Sequence, residues 1–250
     1  MKRYLLSIFL FSSVSLLFGQ NSQRNLGEGI LLNLAYGYQQ PGGDLSERFG
    51  YNFNLGGGLE YITSKSNLIF GAEGYFMFGD QVKFDVLDNL RNDEGNIIGN
   101  DRFPANLQLR QRGFYIGALV GKLFPISKKN KRSGIRLTGS IGVLQHQIRI
   151  QRDPNRSVPQ LLGDYEKGYD RLTNGLALNQ FIGYQLLSSN KRINFYIGLE
   201  FTQAFTQSRR DFDFDTRMED NEQRFDMLIG IKGGWVLPFY FGRGSEEIFY

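Results

Sequence analysis

Between residues 29 and 241 the sequence switches between apolar and polar at almost every step, in eight separate segments. They fall at 29–39, 52–62, 67–79, 112–124, 134–149, 175–187, 194–207 and 223–241. Strict alternation is the pattern of a strand with one apolar face. Each run reaches the roughly 9 to 11 residues that a tilted strand needs to cross a bilayer. The connections alternate as well: 40–51, 80–111, 150–174 and 208–222 are long, whereas 63–66, 125–133 and 188–193 are short. An even set of antiparallel strands, with short turns at one end and long loops at the other, predicts an all-β, up-and-down barrel with both termini on the short-turn side.

The two faces then say which way the barrel is turned. One face of the first segment holds Leu32, Leu34, Tyr36 and Tyr38, and the other Asn33, Ala35, Gly37 and Gln39. In the seventh, Phe195, Ile197, Leu199 and Phe201 oppose Tyr196, Gly198, Glu200 and Thr202. A soluble barrel would turn the apolar face inward and carry many Lys and Glu on the other. The polar face here is instead rich in glycine (Gly37, Gly56, Gly117, Gly142, Gly198), which weakens a solvent-facing strand but suits the crowded interior of eight strands. Aromatics gather at both ends of the apolar faces, with Tyr36, Phe76, Phe205 and Phe225 toward the long loops and Tyr61, Tyr184, Phe195 and Trp235 toward the short turns. Two such girdles around an apolar band point to a transmembrane barrel.

Ahead of this region, Lys2 and Arg3 precede an uncharged apolar stretch from Tyr4 to Phe18 and then small and polar residues. That is the layout of a secretory signal peptide, with cleavage expected after Gly19, so that 1–19 is the signal and 20–250 the barrel. The apolar stretch is shorter than the ~20 residues of a membrane-spanning helix. The chain has no Cys and one His, which excludes a disulfide scaffold, cysteine nucleophiles, thiolate metal sites and a lipid-anchored N-terminal cysteine. A net charge of +4 spread among carboxylates leaves no nucleic-acid footprint. No cofactor is implied.

Signal layout, absent cysteine, eight alternating strands and a glycine-rich inner face together resemble the small outer-membrane β-barrel proteins of Gram-negative bacteria, the OmpA-like and PorT-like barrels. The likeness is architectural and spans residues 27 to about 241. It implies residence in the outer membrane in contact with its lipid. It also implies a non-enzymatic structural or interaction role in the envelope, such as part of a secretion or assembly machine, with protein partners meeting the extracellular loops or the C-terminal tail. A small porin-like channel and an outer-membrane hydrolase are the alternatives.

Five charges fall on the inward parity: Glu60, Glu73, Arg136, Glu200 and Lys232. Counting from the short turns sets Glu73, Glu200 and Lys232 at one depth, with Glu60 and Arg136 lower, and Glu200 can meet Lys232 across neighbouring strands. An unpaired charge in so narrow a space is expensive, so these residues read as a salt-bridged plug or as the lining of a gated path. His146 also faces inward. Ser140 lies six residues along the same strand, ~20 Å away and beyond hydrogen-bond reach. A loop carboxylate such as Asp153, Asp164 or Asp211 would have to be its partner, and a satisfied rim histidine is the simpler reading. In "RRDFDFDTRMED", Asp211, Asp213 and Asp215 share one face of an extended segment and offer oxygen ligands suited to calcium. With no Gly-turned ligand loop and with Arg209, Arg210 and Arg217 beside them, they read as a solvated hairpin. The residues around "NDEGN" read as a second projecting hairpin, and the basic turns "TSKS", "SKKNKR" and "SSNKR" as solvated. The last strand ends either at "LPFYF" or at Tyr250.

Overall fold

The computed structural model describes residues 27–127, 130–188 and 193–241. The predicted signal peptide and the tail ending at Tyr250 lie outside the described residues.

Eight strands close into one antiparallel barrel: β1 (Glu28–Gly43), β2 (Asn52–Ile62), β3 (Leu68–Gly79), β4 (Gln108–Pro125), β5 (Gly134–Gln151), β6 (Thr173–Leu187), β7 (Asn194–Ser208) and β8 (Gln223–Phe241). Each strand pairs with its sequence neighbours, and β8 returns to β1 in a ladder running from Glu28↔Phe241 to Gly43↔Asp226. Closure leaves no strand edge unpaired, as a chain crossing hydrocarbon requires. Among the described residues no helix is long and apolar enough to span a membrane. The strands do the crossing.

Alternation becomes inside and outside. Leu34, Leu59, Ile116, Ile141, Leu176, Phe205 and Trp235 are exposed on the outer wall, while Asn33, Asn54, Gln39, Ser140, Asn179 and Thr202 are buried within. This is the reverse of a water-soluble barrel, and it makes the chain a transmembrane β-barrel. The outer wall keeps polar interruptions, among them Gln180 in β6, Gln203 in β7 and Lys122 near the lower rim of β4, whose ammonium sits 5.4 Å from the Phe124 ring. Glycines on the inner face make room for large side chains. A Cβ at Gly234 would overlap the Tyr196 ring, and one at Gly117 would overlap the Tyr115 hydroxyl.

On the long-loop side the fold departs from the predicted hairpins. What projects above the membrane is β4 paired with β5, whose ladder continues to Gln108↔Gln151. The segment "QVKFDVLD" instead turns over the mouth of the barrel, burying Val86 and Leu87, and α1 (Leu45–Arg48) with Phe49 dips into it. Together with Ile97, Leu144, Ile148, Ile150, Val158, Leu161 and Tyr169 they form an apolar core above the membrane band. Solvated hairpins would leave these seven apolar side chains wet, and their burial is what folds the loops down.

Candidate functional site

Inside the barrel, side chains stack in layers along the axis. At the turn end lies Arg132, from the turn read as solvated. It is instead buried, and its guanidinium donates to the Thr63 carbonyl at 2.9 Å, to Asn67 Oδ1 at 2.8 Å and to the Gly27 carbonyl. The strand ends converge so closely there that one long side chain can satisfy their carbonyls, which a turn lying free in water would not permit.

One layer up, Arg136 pairs with Glu60, donates to Gln185 Oε1 at 2.8 Å and lies 4.7 Å over the Tyr196 ring. Asn33 Nδ2 donates to the same Glu60 oxygen at 2.5 Å.

The middle layer brings together the three charges expected at one depth. Lys232 Nζ is 2.7 Å from Glu200 and 3.3 Å from Glu73. Glu200 also accepts from Gln39 at 2.9 Å, Asn54 at 3.1 Å and Asn179 at 2.9 Å. Glu73 accepts from Ser140 at 2.5 Å and Asn179 at 3.2 Å. Tyr75 and Tyr115 stack at 5.0 Å beside them, and the Tyr115 and Ser140 hydroxyls are hydrogen-bonded at 2.7 Å. Ser140 is thus engaged with Glu73 and Tyr115, away from His146. Five hydrogen bonds from four amide and hydroxyl side chains hold the two carboxylates, so each buried charge has the partners burial demands. Beside this layer the lumen keeps a void of about 10 Å³, room for about one water.

Above it, His146 Nε2 meets Asp226 Oδ2 at 2.8 Å, and Thr206 donates to the same oxygen at 2.6 Å. Arg48 approaches Asp226 at 3.6 Å and donates to Thr173 Oγ1 at 3.2 Å. The Phe49 ring closes edge-on over the imidazole at 5.8 Å. The histidine is therefore fully buried rather than at the rim, and its partner is a strand residue rather than Asp153, Asp164 or Asp211. Asp226 shares the inward parity of Lys232, so the alternation that found the lysine also marked this carboxylate. Arg48 and Phe49 were hidden in a loop with no periodicity to place them. The Thr206 hydroxyl bonds Asp226 and not the imidazole.

At the top the acidic segment is folded back, with turns from Asp213 to Met218 closed by a bridge between those two residues. Asp213 and Asp215 both accept from Arg171, and Asp220 lies 3.8 Å from Arg171 and 2.7 Å from Arg224. Asp211 stays exposed outside this cluster. The neutralising cation comes from the preceding loop, whereas Arg209 donates to Asn174 and Arg210 to Asp170. Burial pushes the Asp213 carboxyl up to about 6 against the pull of Arg171. Burial also opposes ionisation of Asp220, but the hydrogen bond and charge of Arg224, the Glu222 amide and the Arg171 charge together outweigh it and hold that carboxyl below its ordinary value. Among the described residues no group of three or more His, Asp or Glu is placed to hold a metal ion.

No family model matches the chain, and no curated protein matches it. Among solved structures it is similar to Neisserial surface protein A at 9% identity and a TM-score of 0.44, covering 84% of this chain and 98% of that one. It is also similar to Ail, the attachment invasion locus protein of Yersinia pestis, at 12% identity and a TM-score of 0.39, with 84% and 99% covered. A third similarity, to the TodX monoaromatic hydrocarbon channel, has 9% identity, a TM-score of 0.28 and coverage of 86% and 68%. Overlaps this loose transfer no role, and the fold assignment rests on the closed strand ladder and the inverted polarity of its walls.

Proposed function

We propose that this chain is a non-enzymatic outer-membrane β-barrel that serves as a structural or interaction component of the cell envelope, within a secretion or assembly machine. The observation that supports this reading is the filled lumen. Four successive polar layers cross it, and the space left beside the middle layer holds about one water. A wall of eight strands closed in this way presents its loops rather than a path. The loops suit presentation because they share an apolar core with the barrel mouth and leave Phe103, Tyr165 and Phe212 exposed.

Planar-bilayer recording tests the lumen. The expected result is silence from the wild-type protein and from the Glu200→Ala, Lys232→Ala double variant, and stable conductance in either would favour the conduit. Copurification in mild detergent tests the role: a stoichiometric envelope protein retained through the loops is expected, and an isolated barrel would count against it. A hydrolase would depend on His146, so lipid or peptide hydrolysis abolished by His146→Ala would overturn the non-enzymatic reading.

A further inference from the structure

We propose that the outer wall of β4 and β5, just above the upper aromatic girdle, binds the phosphate of a membrane lipid headgroup through Arg110, Arg112 and Arg149. All three lie on the outward parity of their strands. Arg110 and Arg149 are direct cross-strand partners, and Arg112 stands beside Phe78 of β3. Like charges set directly opposite each other destabilise a sheet. Among the described residues none of the three arginines forms a salt bridge that would offset this pair.

The carboxylates nearest in sequence do not help. Asp153 accepts from the Asn106 amide at 3.0 Å and faces Arg156 at 3.8 Å, and Asp80 follows β3 without pairing to any of the three. What the arginines do reach is neutral. Arg112 donates to the Gln111 carbonyl at 2.6 Å and the Gly79 carbonyl at 3.4 Å, and Arg110 donates to Gln108 at 2.8 Å. Arg110 Nε is buried with no acceptor. Gln145 and Gln147, outward-facing on β5, add amide donors to the same patch.

Depth selects the ligand. Phe114 is the outward ring of β4 level with Phe76. Arg112 and Arg110 lie two and four residues beyond it, ~7 and ~14 Å along the strand, at the level of headgroups rather than hydrocarbon. Below them Phe114, Ile116, Ile141 and Val143 form an exposed apolar wall for acyl chains. A planar guanidinium fits phosphate oxygens in bidentate fashion, and basic residues at a membrane surface draw anionic lipid. A phosphorylated lipid satisfies both halves of this surface, whereas free phosphate uses only the cations.

The test compares the wild-type protein with the Arg110→Gln, Arg112→Gln, Arg149→Gln variant, and with Arg156→Gln as a control that touches another cluster. Retention of phosphatidylglycerol against phosphatidylcholine is read by native mass spectrometry, alongside thermal midpoints. We expect phosphatidylglycerol affinity to fall about fivefold for each arginine removed, and the control to be unchanged. In neutral micelles without lipid the triple variant should melt at or above the wild-type temperature, because repulsion is relieved. The single Arg149→Gln change, at an exposed position, provides the same readout if the triple variant folds poorly. Equal retention by wild type and variants would overturn the proposal. So would inorganic phosphate stabilising the lipid-free protein as well as the lipid does.

Discussion

Replacing Lys232 by Met removes the one cation of the middle layer while keeping the bulk of the side chain. Glu73 and Glu200 then face each other's charge, and the layer moves from one net negative charge to two. Breaking a buried ion pair by deleting one partner costs roughly 3–5 kcal/mol. Here Glu200 keeps three amide donors and Glu73 keeps Ser140 and Asn179. That retained satisfaction places the expected loss near the lower bound, about 3 kcal/mol. Glu73→Gln is the informative contrast. It leaves the 2.7 Å Lys232 to Glu200 contact in place and makes the layer neutral, so it should cost only about 1 kcal/mol, one net hydrogen bond. The double change Lys232→Met, Glu73→Gln restores a single negative charge and should be less destabilised than Lys232→Met alone, a coupling that only groups in one network show. Trp235, the single Trp, is 63% exposed on the outer wall and reports transfer from lipid to water. Urea unfolding from phosphatidylcholine vesicles, followed by its fluorescence, measures all three variants. A Lys232→Met loss below about 1 kcal/mol, or a double variant weaker than that single, would refute the charge-balance argument.

Three further outcomes follow from the same contacts. Gly234→Ala pushes a methyl into the Tyr196 ring and should cost about 1–3 kcal/mol in the same vesicle assay, whereas Gly139→Ala, whose nearest atom is 4.0 Å away, should be nearly silent. Phe49→Ala empties the seat above His146 and should lower stability by about 3–5 kcal/mol, seen as faster proteolysis of the long loops. Asp213 should titrate with a midpoint near 6 by carboxyl-detected NMR. Because that folded value lies above the ordinary 3.8, its contribution to cap stability is complete below pH 3.8 and is lost as pH rises through about 6. Asp213→Asn should abolish that loss.

Strand number, order and facing were legible in the sequence because a barrel wall obeys a two-residue period, and lipid and lumen demand opposite side chains. The same parity placed Glu60, Glu73, Arg136, Glu200 and Lys232 inward, where they lie. What parity cannot supply is shear, which decides which inward residues share a level. The contacts of Asn33 with Glu60 and of Gln39 with Glu200 join residues 27 and 161 positions apart and had no local signal. The long loops were the least readable. Their apolar residues, such as Leu45, Phe49 and Val86, have no period, and only the closed mouth beneath gives them something to pack against. The reading of Asp211, Asp213 and Asp215 as solvated holds for Asp211, which stays exposed, and fails for Asp213 and Asp215 for the same reason: Arg171, which turns them inward, is remote in sequence.

Arg132 has a consequence for how the molecule comes together. Its three acceptors lie on one side of the closing seam, Thr63 and Asn67 in the first turn and Gly27 just before β1, while on the other side the Tyr240 ring near the end of β8 lies 5.9 Å from the guanidinium. These groups converge only when the first and last strands have zipped in the register that sets Glu28 opposite Phe241. A seam slipped by two residues would keep its backbone ladder and its lipid face yet carry the Tyr240 ring away from the guanidinium that Thr63, Asn67 and Gly27 hold in place. The arginine thus acts as a proofreader of barrel closure, rewarding the correct circumference and penalising its near neighbours.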